Sequence, residues 1–347
     1  MQHPKGRGST FNPNQRFTSL HVDYDLGEGP ERVNTQLFRD HSSTVISRHH
    51  SPDLPFEASL NPYRGCEHGC AYCYARPTHE YLGFSSGHDF ESKIMVKEDA
   101  PALLRAEFAR PHYKPVCLAC SGVTDPYQPI ERKLRVTRRC LEVMAECRNP
   151  VVFITKNHLI TRDLDLLQEL ARYEAVAAYI SVTSLDPQLA HQLEPRASSP
   201  SQRLDAIRQL RAAGVPVGVS LAPVIPAINE EEIPAIVQAA HDAGASFIGS
   251  TVVRLPFAVK DIFTAWLDRY FPERKDKVLG RIRDMQGKTL SHPDFGTRLK
   301  GEGIWAEQIR SMVTISARRC GYAPHRPQVS TAAFRRPQEM NGQMELW

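Results

Sequence analysis

The stretch VVFITKNHLITRDLDLLQELARYEAVAAYISVTS, residues 151 to 184, contains one complete unit of the fold. Its two ends, 151–157 and 176–184, are near-continuous apolar runs. Between them, 161–173 carries its leucines at helical spacing. Two apolar strands with a helix between them predict a parallel βαβ unit, buried on both faces of its sheet. The pattern repeats outward. The runs VCLACSG (116–122), VPVGVSLAPVIP (215–226) and SFIGSTVVRLP (246–256) read as further strands, and EASLNPY (57–63) as a first one. Helical patterns fill 99–110, 137–148, 199–214 and 229–244, the first with Asp99 as an N-cap and Pro101 in its first turn. About six βα units are expected, enough for an α/β fold of the (β/α)6 partial TIM barrel type over residues 53–256. Residues 1–52 lack periodicity and read as an extended N-terminal arm. Residues 257–347 read as a helical C-terminal extension ending in a basic tail. No G-x-G-x-x-G fingerprint is present.

Composition narrows the function. The chain has 347 residues, 24% charged and 41% hydrophobic, as an ordinary globular protein does. It has no run of eighteen apolar residues, and its polar N-terminus lacks the apolar core of a secretory signal. A cytoplasmic location with no membrane partner is expected, so the eight cysteines read as ligands, catalytic thiols or core residues before disulfides. The net charge of +4 is uneven: residues 281–336 carry eleven Lys or Arg against four Asp or Glu. That segment is either a solvated face or a phosphate footprint, with Arg318, Arg319, Arg335 and Arg336 as its paired arginines.

NPYRGCEHGCAYCYARPTHEY, residues 61 to 81, gathers Cys66, Cys70 and Cys73 in a C-x3-C-x2-C spacing. A structural zinc needs four ligands, and only His68 or His79 stands near enough in sequence to be the fourth. That alternative gives a non-catalytic, zinc-bearing nucleic-acid-binding module. Three thiolates are better matched to a [4Fe–4S] cluster with one iron left open.

With Tyr72 directly before Cys73, the motif resembles the signature of the radical SAM superfamily. SGVTDPYQPIE (121–131), ITKN (154–157) and EPRASSPSQRLDAI (194–207) resemble its spore-photoproduct-lyase-like branch, whose members are often labelled DNA repair photolyases. The likeness spans about residues 45 to 330, and KGRGSTFNP (5–13) resembles one subgroup. It implies that Cys66, Cys70 and Cys73 hold a [4Fe–4S] cluster and that S-adenosylmethionine is the second cofactor. It further implies an external one-electron reductant of the flavodoxin or ferredoxin type, hydrogen abstraction by a 5′-deoxyadenosyl radical, and a DNA or RNA substrate.

Functional groups of parallel barrels gather at the C-terminal ends of the strands. Ser121, Thr124 and Asp125 follow the second strand, Lys156 and Asn157 end the third, Ser181 and Thr183 the fourth, and Arg254 the sixth. The resemblance assigns Tyr72, Ser121, Asp125, Lys156 and Ser181 to the cofactor pocket. Arg196 is a candidate partner for the cofactor carboxylate or for a surface acid. Cys120 lies near the branch's hydrogen-donor cysteine but two residues out of register. Tyr127 is either a catalytic or a packed tyrosine. Glu131 reads as a turn cap, and Cys140 and Cys147, seven apart on a helix, as core residues.

Overall fold

A computed structural model describes residues 6–17, 33–54, 56–292 and 294–337. Ten strands run in chain order: β1 Gln36–Arg39, β2 Ile46–Arg48, β3 Ala58–Leu60, β4 Tyr63–Arg64, β5 Lys93–Val96, β6 Leu118–Cys120, β7 Val151–Thr155, β8 Val176–Ser181, β9 Val217–Val224 and β10 Phe247–Val252. The larger sheet has the order β10-β9-β8-β7-β6-β3-β2. From β3 to β10 all neighbours are parallel, so six consecutive strands form the curved wall of a partial barrel. The six sequence-expected strands are these six. β2 adds to the free edge of β3 in antiparallel sense, and a small second sheet has the order β1-β5-β4.

Alternation along the strands separates two faces. Leu118, Cys120, Val151, Phe153, Val176, Ala178, Val217 and Val219 join the large core beneath the helices. The register row Ser59, Ala119, Val152, Ala177 lies on the other face, inside the barrel. The row Ile154, Tyr179, Gly218, Phe247 follows above it. Ser181, Ser220 and Gly249 form the next row, toward the C-terminal ends. Small and polar residues therefore line the mouth, while the branched ones pack outward.

The helices fall close to the expected spans, at Ala100–Ala109, Val136–Cys147, Leu164–Ala171, Pro200–Ala212 and Ile233–Asp242. Asp99 does not cap its helix through its side chain; its carboxylate takes Arg39 Nη2 at 3.0 Å instead. Cys140 and Cys147 are fully buried. Glu131 is also fully buried, accepting from Tyr63, from Thr137 N at 3.0 Å and from Arg162 Nη2 at 2.8 Å. It fixes the start of the 136–147 helix from inside the core.

Two terminal regions differ from their sequence reading. Within the arm, 36–39 and 46–48 are strands, because their partners Lys93–Val96 and Ala58–Leu60 supply ladders that no local periodicity announces. Within the basic C-terminal segment, most arginines named as phosphate contacts or close to them are already engaged. Arg281 pairs with Glu230 at 2.7 Å and Arg298 with Asp53 at 2.6 Å. Arg335 Nε donates to Glu146 O at 2.7 Å. Arg336 donates to the carbonyls of Phe108 at 3.1 Å and Pro111 at 2.8 Å, and to that of Arg110. These are carbonyls at and just beyond the end of the 100–109 helix, which lack intrahelical donors. Phe334 packs beside them against Phe108 and Tyr113. Arg318 and Arg319 lie in the last turn of the helix Gly303–Cys320.

Arg336→Ala should therefore destabilise the fold by about 0.5–1.5 kcal/mol, the net worth of such hydrogen bonds at a surface where water can replace part of them, and more than an exposed charge change that makes no contacts. Urea denaturation of both proteins checks this; superimposable midpoints would show that the contacts carry no stability.

Candidate active site

Cys66, Cys70 and Cys73 lie on a loop that follows β3 and β4, at the C-terminal mouth of the barrel. Gly69, at φ +67°, turns the chain between the first two. A Cβ there would come within 2.9 Å of Glu91 Oε2. The loop is held by its own backbone, with Cys66 N donating to Phe90 O at 2.9 Å and Ala71 N to Leu193 O at 3.0 Å.

Three buried carboxylates outside the loop fix its side chains. Glu91 pairs with the fully buried Arg76 at 2.5 Å, and Arg76 Nη2 also donates to Cys70 O at 2.8 Å. Asp125 accepts from His68 Nδ1 at 3.3 Å, Thr155 Oγ1 at 2.7 Å and Lys156 N at 2.8 Å. Burial opposes charge on His68, but Asp125 and Cys66 outweigh it and raise its pKa to about 10. Glu194 accepts from Tyr72 and Arg203, and from Thr183 Oγ1 at 2.9 Å, with Lys156 Nζ at 3.8 Å. Burial alone would raise its pKa; Arg203 and Lys156 reverse that and hold it below the usual range.

The N-terminal arm completes the loop's surroundings. Gly8 N and Ser9 N donate to the Glu91 carboxylate at 3.0 and 2.8 Å, and Arg7 Nη1 to Glu91 O at 2.5 Å. A Cβ on Gly8 would lie 1.6 Å from Gly69 O. Residues 7–9 are thus a packed part of the site.

The sequence-derived residues distribute unevenly. Tyr72, Lys156 and Ser181 come together: Lys156 Nζ lies 5.9 Å from the Tyr72 ring and donates to Ala222 O at 3.2 Å, and Ser181 O accepts from Arg203 Nη1 at 3.1 Å. Ser121 Oγ reaches Thr124 O at 3.4 Å. Asp125 is occupied by its protein partners, which makes it an anchor of the loop. Arg196 pairs with Glu67 at 3.0 Å, a carboxylate of the cysteine loop itself. Cys120 and Tyr127 are fully buried in the core beneath the helices. Burial, with Cys140 nearby, holds the Cys120 thiol protonated, and the Tyr127 ring packs 5.7 Å from Phe153.

Sequence reasoning passed over Glu194, Arg203 and Glu91. Each is a charged residue whose burial is not visible in sequence; Glu194 and Arg203 do fall within the quoted stretch 194–207, the one signal that could have pointed to them.

The three thiols suit a polynuclear centre. Cys73 packs against both the apolar group containing Cys66 and that containing Cys70. Burial raises the Cys70 and Cys73 thiols, and the neighbouring cysteines raise them further. Such a trio is relieved of mutual repulsion by a shared cationic core that takes each thiolate on a different iron. Among the described residues, no three His, Cys, Asp or Glu converge on a single-ion site, as zinc requires. His79 is held elsewhere, against Lys93 O at 2.9 Å and between Phe84 and Phe90. His68 is bound to Asp125.

Fold and site define a parallel α/β partial barrel carrying a three-cysteine loop at its mouth. The Radical SAM superfamily model matches residues 60–240. The chain belongs to the radical SAM superfamily. It is similar to the uncharacterized protein Rv2578c of Mycobacterium tuberculosis, 36% identical over 234 residues, 67% of this chain and 68% of that one. It is also similar to the radical SAM Nalpha-GlyT isomerase of Pseudomonas phage M6, 28% identical over 168 residues, 48% of this chain and 33% of that one. In fold it is similar to spore photoproduct lyase complexed with dinucleoside spore photoproduct, at TM-score 0.58 and 17% identity, covering 82% of this chain and 79% of that one. No helix among the described residues is long and apolar enough to cross a membrane.

Glu194→Ala should leave Arg203 buried without its carboxylate and cost about 3–5 kcal/mol. Guanidinium denaturation checks this, and a loss below ~1 kcal/mol would mean that Lys156 and Arg203 find other partners.

Proposed function

We propose that this radical SAM enzyme holds a [4Fe–4S] cluster on Cys66, Cys70 and Cys73 and acts on a nucleic-acid substrate. The observation that carries the reading is the clamped three-thiol loop over a barrel mouth lined by Lys156, Ser181 and Ser220. Bound there, the cluster and S-adenosylmethionine would supply radical chemistry for taking hydrogen from the substrate, with an external one-electron donor of the flavodoxin or ferredoxin type as the source of the electron.

The chain's own groups do the positioning. Arg76, Tyr72 and His68 fix the loop that carries the three thiols. Lys156 brings a cation to the mouth while its attachment to Ala222 O and Glu194 restrains the side chain. That cation suits the carboxylate of S-adenosylmethionine. Ser181, on the adjacent strand, adds a hydroxyl, and Ser121 lies across the mouth at the end of β6. The packed arm, residues 7–9, excludes water from the outer side of the loop, as a radical reaction requires. The substrate class rests on likeness to spore photoproduct lyase with its dinucleoside spore photoproduct and on the basic C-terminal segment, whose unengaged cations are fewer than its composition implies.

Cys70→Ala should abolish the visible absorption of the reconstituted cluster, whereas Cys140→Ala, within the core, should retain it. A full cluster in the Cys70→Ala protein would sink the assignment. Lys156→Ala and Ser181→Ala should keep the cluster and weaken S-adenosylmethionine binding about ten- to a hundredfold, the equivalent of about 1.5–3 kcal/mol. Unchanged affinity in both would show that the pocket lies elsewhere. Anaerobic incubation with S-adenosylmethionine and dithionite, with and without ultraviolet-damaged DNA, tests the reaction through release of 5′-deoxyadenosine. Release that no nucleic acid alters would count against that substrate.

A further inference from the structure

Arg254 follows β10, the last strand of the barrel wall, whose outer edge borders the open side of the partial barrel. Its guanidinium carbon lies 4.7 Å from the centroid of the Tyr74 ring. Tyr74 is the residue after the last cysteine of the loop, is 47% exposed, and donates from its hydroxyl to Gly122 O at 2.7 Å. Gly122 stands after β6, so Tyr74 and Arg254 together link the segments that follow β6 and β10. Nearby, Val252 N donates to Leu299 O at 3.0 Å, and Arg298 donates to Asp53 and Ser51 at 2.6 and 2.9 Å.

Arg254 is the exception among the cations here. Its Nε is buried and has no hydrogen-bond partner. Among the described residues no carboxylate lies within ion-pair distance of it. Buried guanidinium donors normally find acceptors, because an unmet one forfeits its hydration. The nearest acid, Asp53, is already taken by Arg298. Burial, with the neighbouring Arg298 cation, lowers the pKa of Arg254, while Tyr74, Asp53 and Cys73 act against the shift. A planar, charged fork therefore waits at the entrance with its stacking face covered and its donors unspent.

We propose that Arg254, stacked on Tyr74, is an anion subsite that takes a backbone phosphate of the substrate at the open side of the barrel. The proposal rests on the nucleic-acid reading above and deepens it. Arginine forks match phosphate oxygens in pairs, and phosphate contacts set the register of a nucleic acid without reading its bases. A phosphate held here would leave the attached sugars and bases to extend past Tyr74 toward the mouth.

The test uses the full chain with its cluster reconstituted, under anaerobic conditions. Calorimetric titration compares a phosphodiester-linked thymidine dinucleotide, its uncharged methylphosphonate-linked counterpart, and inorganic phosphate. The wild type should bind the phosphodiester at least about tenfold more tightly than the neutral analogue. Arg254→Gln should erase that preference while keeping the cluster absorption and the denaturation midpoint. Arg254→Lys, which keeps the charge but not the fork, should retain part of it and covers the case in which the Gln variant fails to fold. A preference that survives in both variants, or equally tight binding of the two dinucleotides by the wild type, overturns the subsite. So does an altered cluster spectrum with the preference intact, which would make Arg254 a counter-charge for the thiolates. Binding of inorganic phosphate that needs Arg254, with neither dinucleotide bound, would keep the subsite and remove the nucleic-acid reading. No binding of any of the three ligands would remove the subsite.

Discussion

The Glu194 carboxylate is the buried charge around which the barrel mouth is arranged. A lone carboxylate in that position would cost several kcal/mol and would protonate instead. Here Arg203 and Lys156 supply positive charge, and Tyr72 and Thr183 supply hydroxyl donors. These four groups come from the helix Pro200–Ala212, the end of β7, the cysteine loop and the segment just after β8. One charge thereby ties the cysteine loop to two strand ends and a helix. Arg203 extends the tie through the carbonyls of Ser181 and Ser198, so the backbone that carries Ser181 is set by the same guanidinium.

Glu91 does the corresponding work on the outer side of the loop. Its carboxylate meets Arg76 and the amides of Gly8 and Ser9, and Arg76 in turn holds Cys70 O. Asp125 makes the third tie, through His68, to the ends of β6 and β7. A loop so short has little apolar surface with which to fix itself. Charge-assisted hydrogen bonds, which are directional and stronger than neutral ones, replace packing there. The placement of the three thiols depends on these acids as much as on the cysteine spacing. The same principle explains the C-terminal arginines: Arg335 caps the end of the 136–147 helix and Arg336 that of the 100–109 helix, so part of a basic composition is structural.

The order of strands and helices was legible in the sequence. Buried parallel strands such as 151–157 and 176–184 are apolar throughout, and the helices between them carry leucines at helical spacing, so local pattern and final environment agree. The cysteine loop was equally legible, because its ligand spacing is contiguous. What lay beyond sequence was everything that depends on pairing over distance. β1 and β2 have no periodicity of their own and exist because β5 and β3 present edges to them. Asp99 has the residue type of a cap but bonds Arg39 across space.

By itself, then, the sequence determined the parallel α/β class, the six barrel strands and the three-cysteine motif, since each is written in the types and spacing of neighbouring residues. Only the tertiary structure decided which polar residues face the mouth and which are spent on the fold. Lys156 meets Tyr72 there and Ser181 lies on the adjacent strand end, whereas Cys120 and Tyr127 turn into the helix-facing core, and Arg196 and Asp125 are bound to the cysteine loop. Strand alternation sends neighbours to opposite faces, and a buried charge takes whichever partner folding brings within reach. Neither can be read until the chain has closed on itself.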